Sequence, residues 1–346
     1  MKSPYYSLLL FLLFPICSVT AQGNDDAYQY LETIGNQFYK ISNSSMSYTS
    51  AASHGKSARK VEKRRMELLA EIKEAERTVR KMSPFQDDHA FRDSVVSYLV
   101  ISRIVLNEDF GKILDMEEIA EQSYDAMEAY LLAKEKAGEK LDAAYEKVKL
   151  QQTLFASRYN IKLIDGNSKL GNKIETSAKV FNYHDKIYLL FFKSYKNEAY
   201  LVEAINRNDI NAIEQTKNAL LGSAEQDLSK IGPLPAFKGD ATLKTACQQL
   251  LNFYKWEASN YIPELITFKL KKENYEKMKA AMDAKRSADR TQEDVNAYNK
   301  AVNDFNASVS KINAKQNEVN KKGADALNKW NKASEEFLDK HIPKHN

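Results

Sequence analysis

Between Thr291 and Lys340 the apolar and small residues fall on one helical stripe, and this stretch limits the fold more than any other. Val295, Tyr298, Val302, Phe305, Val309 and Ile312 lead into Gln316, Val319, Gly323, Ala326, Trp330, Ala333 and Phe337, in steps of three and four throughout. That spacing makes a seam facing neighbouring helices. A helix of about fifty residues is roughly 75 Å long. Isolated helices are marginal in water, so other helices must pack along this one.

Composition points the same way. Eleven Gly and seven Pro among 346 residues, with 43% hydrophobic, favour long helices around a real core over many short strands. The net charge of +4 is the small difference between 51 basic and 47 acidic residues, so the surface is highly charged but balanced. Nothing in that balance calls for a nucleic acid.

Residues 1–21 read as a signal peptide. Lys2 supplies the positive end, Leu8 to Phe14 are apolar, and Val19-Thr20-Ala21 offers small residues for a peptidase, so the mature chain is expected to begin at Gln22. A lipid-attachment box at Cys17 would need a small residue just before it and usually a Leu three before it. Ile16 and Phe14 stand there, which favours cleavage after Ala21 over a lipoprotein. Cys247 is then the only thiol, leaving no partner for a disulfide. No segment of the mature chain reaches the eighteen or so apolar residues of a membrane span. The expectation is an exported protein of the periplasm, cell surface or medium.

The periodicity predicts an all-α fold of two tandem antiparallel four-helix units, 22–163 and 175–346, joined by a linker at 164–174. In the first unit, a helix from Asp25 to Ser42 runs into a Ser-rich loop to Ser53. Further helices follow at 56–82, from Asp88 to about Leu106, and on to Tyr159. An offset of 152 carries Val61, Leu68, Leu69, Val79, Phe85, Asp88, Phe91 and Leu99 onto Ile213, Leu220, Leu221, Ile231, Phe237, Asp240, Leu243 and Leu251 without a gap. Asp88 and Asp240 both fall where a helix cap is expected. Pro263 should bend or split the helix that begins at Asp240.

The usual catalytic and cofactor signatures are missing. No His follows a Glu by three residues, the spacing with which a bundle presents di-metal ligands. Asp87-Asp88-His89 sits at a helix start and reads as capping. There is no Gly-x-Ser-x-Gly turn and no Gly-rich phosphate loop, so no catalytic, metal or cofactor-binding residue is assigned. Cys247, among Leu243, Leu250 and Leu251, reads as a small buried hydrophobe. The basic helix around Arg59 to Lys81 reads as a solvated face with Glu partners at three and four spacing. Most of the 19 Tyr, including Tyr98, Tyr130, Tyr254 and Tyr261, lie on apolar stripes. Asn43-Ser44-Ser45, in the expected loop, and Asn306-Ala307-Ser308 match the glycosylation pattern.

The units differ in length. The second holds about 23 to 30 further residues around 270–293, enough to extend a helical hairpin by roughly 17 to 22 Å. Its apolar content is thin, and Lys271, Lys272, Lys277, Lys285, Arg286 and Arg290 make its end a candidate contact for an acidic partner or envelope surface. The alternative is a helix that folds back at Pro263 and covers the bundle.

Taken together, the leader, the two helical units with Tyr30 and Tyr183 near their starts, the breakers before Asp88 and Asp240, Phe237, and Tyr298 on the long last helix resemble an uncharacterised family. Its members are exported helical surface proteins of double-membraned bacteria. The resemblance implies export and carries no catalytic residue. The expectation is a non-enzymatic protein acting by binding a protein or envelope component. Its alternative is a carrier holding a lipid or small ligand in an apolar cavity inside the bundle.

Overall fold

The computed structural model describes residues 18–20, 25–54, 56–109, 120–164 and 168–345. The leader up to Cys17 and the expected cleavage junction after Thr20 lie outside them. Among the described residues the fold is all-α apart from one short ribbon. The helices are α1 (Asp25–Ser53), α2 (Ala58–Lys81), α3 (Ala90–Ile104), α4 (Tyr124–Arg158), α5 (Lys169–Asn206), α6 (Ile210–Ile231), α7 (Thr242–Trp256), α8 (Ile262–Ala284) and α9 (Gln292–His341). The ribbon pairs β1 (Ser18–Thr20) antiparallel with β2 (Lys162–Ile164), Val19 opposite Leu163. Cleavage after Ala21 would remove β1.

Two compact units are present, residues 1–185 with 336–346, and residues 186–335. The divisions fall inside α5 and α9, which at 38 and 50 residues are long enough to supply side chains to both units. In the first, α1 packs on α2, α2 on α3 and α3 on α4. Leu68, Ile72, Val79, Val95, Leu99 and Val148 are buried there, beside a ring cluster in which Phe155 lies 5.6 Å from both Tyr30 and Phe85. In the second, α6 packs on α7 and α8, and Trp330 of α9 is buried 4.5 Å from Phe191 of α5.

The offset of 152 carries into local structure. Helix α2 starts at Ala58 and α6 at Ile210, and α3 spans Ala90–Ile104 while α7 spans Thr242–Trp256. Each of the latter two runs into a five-residue π-turn, Val105–Asp109 and Glu257–Tyr261. Before each comes the same tight turn, closed by a bridge between Phe85 and Asp88 or between Phe237 and Asp240. Asp88 and Asp240 stand one residue before the cap positions His89 and Ala241, not at them as expected, yet accept hydrogen bonds from the first-turn amides of Ala90 and Thr242 at 3.1 and 2.8 Å.

Two further expectations are corrected. The Ser-rich stretch 43–53 is helix, the second half of α1, because Ser42, Ser45, Met46, Tyr48, Thr49 and Ala51 are buried and small side chains let helices approach closely. Both Asn-x-Ser triplets therefore lie in helices, α1 and α9, and not in an exposed loop. The seam on α9 is also less uniform than its periodicity suggests. Ile312, Val319, Ala326, Trp330, Ala333 and Phe337 are buried, whereas Val295, Tyr298, Val302, Phe305 and Val309 are only half-buried. Pro263 does interrupt its helix: it sits in the first turn of α8, where a missing N–H costs least.

Candidate functional sites: the α8–α9 hairpin and a buried acid cluster

Helices α8 and α9 form a hairpin turned by Ser287–Asp289, a single 3₁₀ turn. Its second arm starts with a reciprocal cap. The Thr291 hydroxyl accepts from the Asp294 amide at 3.1 Å, and the Asp294 carboxylate accepts from the Thr291 amide at 2.9 Å. The arms meet through one ribbon of rings. Tyr275 stacks on Phe305 at 5.0 Å and lies 6.3 Å from Tyr298, and Phe268 lies 5.9 Å from Phe305. Between Leu265 and Ala301 no residue is fully buried; Tyr275, Met278 and Met282 are half-buried. At the base of the hairpin, Lys269 donates to the Asn208 side chain beyond the end of α5.

The six basic residues singled out from sequence all lie along this hairpin, but most have partners. Lys272 pairs with Glu276 at 3.8 Å, Lys277 with Glu273 at 2.7 Å, Lys285 with Asp294 at 2.7 Å and Arg286 with Asp289 at 2.6 Å. Arg290 donates to the Lys285 carbonyl, and Lys271 is half-buried. The Lys285 ammonium, with the Thr291 cap, holds the Asp294 carboxyl down at about 2. The hairpin is thus a mixed-charge surface whose cations are exposed but largely balanced, so its field is short-ranged.

A second cluster was not legible as a site. In the second unit Asp227 and Glu257 are buried, at 0% and 6% exposure, and Cys247 at 0%. Burial, with the neighbouring Glu198 carboxylate adding to it, pushes the Glu257 carboxyl up to about 8. Burial likewise raises Glu198, Asp227, the Cys247 thiol and the Tyr254 phenol. Such a thiol is a poor nucleophile, in keeping with the reading of Cys247 as a small hydrophobe. The Ser194 and Ser223 hydroxyls share a hydrogen bond of 3.0 Å nearby. The sequence did carry a signal: at the offset of 152, Asp227 and Glu257 fall on Ala75 and Val105, both buried in the first unit.

Other singled-out residues have structural partners. Asp88 pairs with Arg158 at 2.6 Å, and His89 approaches Arg92 at 3.3 Å. On α2, Arg65 pairs with Glu62, Arg64 with Glu67 and Arg80 with Glu76. Tyr98, Tyr130, Tyr254 and Tyr261 are buried. Among the described residues no three His, Cys, Asp or Glu side chains converge as metal ligands do, and no helix is long and apolar enough to cross a membrane. Comparison with protein-family models, curated proteins and solved structures finds no match.

Proposed function

We propose that this is an exported protein that acts by binding and not by catalysis, with the α8–α9 hairpin as its contact surface. The observation that carries the reading is the uninterrupted run 266–300 without one fully buried residue, although both arms are helical. Long helices are normally held by burial of an apolar face. Here half-buried rings, with Met278, Met282, Val295 and Val302 beside them, do so only in part, and the remaining surface is left for a partner. Lys271, Lys272, Lys277, Lys285, Arg286 and Arg290 suit an acidic protein or an anionic envelope component, which would exchange the intramolecular pairs for its own carboxylates or phosphates. The leader and the resemblance to exported helical surface proteins support the location. We also infer that the two α-helix–turn–α-helix–π segments arose by duplication, and that the hairpin is what the second copy gained.

Mature protein, mixed with an envelope fraction from the producing cell, tests this by cosedimentation. Reversing Lys271, Lys272 and Lys277 to Glu should lower binding tenfold or more, and added salt should weaken the wild-type interaction. Unchanged binding by the triple variant would remove the hairpin from the mechanism. Extracytoplasmic protein whose intact mass retains Met1 would remove the leader reading.

A further inference from the structure

The π-turn at Glu257–Tyr261 joins the core helix α7 to the hairpin, and its first residue is an acid in an apolar place. The Ile262 amide donates to the Glu257 carbonyl, the wide bond that defines the turn. The next residue, Pro263, has no N–H to give. Pro263 thus takes one bond out of the junction into α8, and the Glu257–Ile262 bond is among those that remain. The Glu257 side chain is 6% exposed and its Oε2 has no hydrogen-bond partner.

Among the described residues no cation acts on it. Helix α5 presents Glu198 and α7 presents Tyr254, which is itself bordered by Tyr195 and Cys247. Further along, Asp227 of α6 acts on Cys247 and not on Glu257, and its own neighbour is Lys230 at 3.5 Å. The turn itself carries Tyr261, whose hydroxyl donates to Gln316 of α9. The one charged group acting on Glu257 is thus another carboxylate, Glu198. The corresponding π-turn of the first unit opens with Val105, buried at 0% exposure, which shows that the turn itself needs no carboxyl group. A buried carboxylate without a cation is costly, whereas the neutral acid is tolerated much like an amide.

We propose that Glu257 is held in the folded protein as the neutral acid, and that losing its proton loosens the π-turn, making the joint between α7 and the α8–α9 hairpin sensitive to pH. This stands whether or not the hairpin is the binding surface. An unfolded Glu titrates near 4.3. Between that value and its raised native value the folded state binds more protons than the unfolded one, so stability falls as pH rises across this window and levels off above about 8.

Urea denaturation of the full chain and of Glu257→Gln between pH 5 and 9 tests this, with hydrogen exchange at residues 257–265 corrected for intrinsic rates. At pH 5, less than one unit above the unfolded pKa, the variant's advantage should be only severalfold. At pH 8.5 the variant's folding equilibrium should exceed the wild type's by about tenfold to a thousandfold, tenfold per unit of displaced pKa. Protection of the Ile262 amide should drop with pH in wild type alone. Parallel stability curves would overturn the proposal. Should the Gln variant fail to fold, Glu257→Val, which restores the residue of the first unit, serves in its place. Infrared spectra then supply an independent reading: wild type at pH 6.5 should show a protonated-carboxyl band that weakens in the variant, and absence of that band overturns the proposal.

Discussion

The ring of Phe253 occupies the space a side chain on Gly323 would need: a Cβ built there would lie 2.9 Å from its Cζ. The missing side chain lets α9 and α7 close on each other where the seam narrows. Gly35, Gly138 and Gly222, also inside helices, face open space. Replacing any of those three with Ala should stabilise by about 0.5–1 kcal/mol through helix propensity. Gly323→Ala should be neutral or destabilising, because the Phe253 ring must move. Urea midpoints of the four variants check this, and equal gains at all four sites would contradict the close packing.

The uneven burial of the α9 seam sets an order of costs. Trp330 is 1% exposed and packed on Phe191 and Tyr188, so Trp330→Ala should cost about 3–5 kcal/mol. Half-buried Phe305, held mainly by Tyr275 and Phe268, should cost less, about 1–3 kcal/mol. Gln316→Ala loses the hydrogen bond from Tyr261, worth about 1 kcal/mol. Thermal melts of the three should fall in that sequence.

The tight turns before α3 and α7 need left-handed backbone at both central positions. Gln86 and Asp87 adopt φ of 49° and 64°, while Lys238 and Gly239 adopt 50° and 83°. Gly bears this conformation at little cost, and Asp bears it with some strain. Asp87→Gly should therefore stabilise by about 0.5–1 kcal/mol, and Gly239→Ala should destabilise by about 1–2 kcal/mol. Chemical denaturation of both variants decides the point.

Much of this architecture was legible because helical periodicity survives in the sequence wherever a helix buries one face. Leu68 with Leu220 and Leu99 with Leu251 kept their apolar character at an offset of 152, so the register of the two segments showed directly. The extent of α1 did not. Ser42, Ser45 and Thr49 are polar by composition, yet they are small enough for the interior, and their burial depends on neighbours that no local pattern reveals. The buried acids were missed for a related reason. Residue type places Asp227 and Glu257 on the surface, and only comparison with Ala75 and Val105 marks them as core positions. The ion pairs that balance the hairpin cations, such as Lys285 with Asp294 across the turn, depend on its folded geometry.

Near the end of the first unit Asp185 meets Lys134 at 2.8 Å and His184 at 3.5 Å. Burial alone would raise its carboxyl, but Lys134, with His184, more than offsets this and holds it at about 2. A depressed carboxyl contributes stability above its unfolded value, near 3.9, and loses it as pH falls through the native value. Lys134→Gln should cost about 2 kcal/mol at pH 7 and progressively less as pH falls from about 4 to 2. Denaturation at pH 7 and pH 3 measures the difference, and a cost independent of pH would assign Lys134 a packing role only.

Asp227 presents the opposite case. It is fully buried, neither carboxyl oxygen has a hydrogen-bond partner, and Lys230 stands 3.5 Å away with its ammonium half in solvent. Burial raises its carboxyl, with Lys230 and Lys193 only partly opposing. The first unit carries Ala75 in the same register, buried and without difficulty. Deleting an under-compensated buried carboxyl relieves a desolvation cost that a small apolar residue never incurs. Asp227→Ala should therefore stabilise at pH 8 by about 1–2 kcal/mol, net of the small cavity it leaves. The gain should shrink as pH falls from 8 towards 4, because a carboxyl raised above the ordinary Asp value takes up its proton before an unfolded Asp does, and the cost of burying its charge then disappears. Urea denaturation at the two pH values checks both the sign and the slope. A destabilised variant at pH 8 would mean that Asp227 is retained for the stability of the second unit.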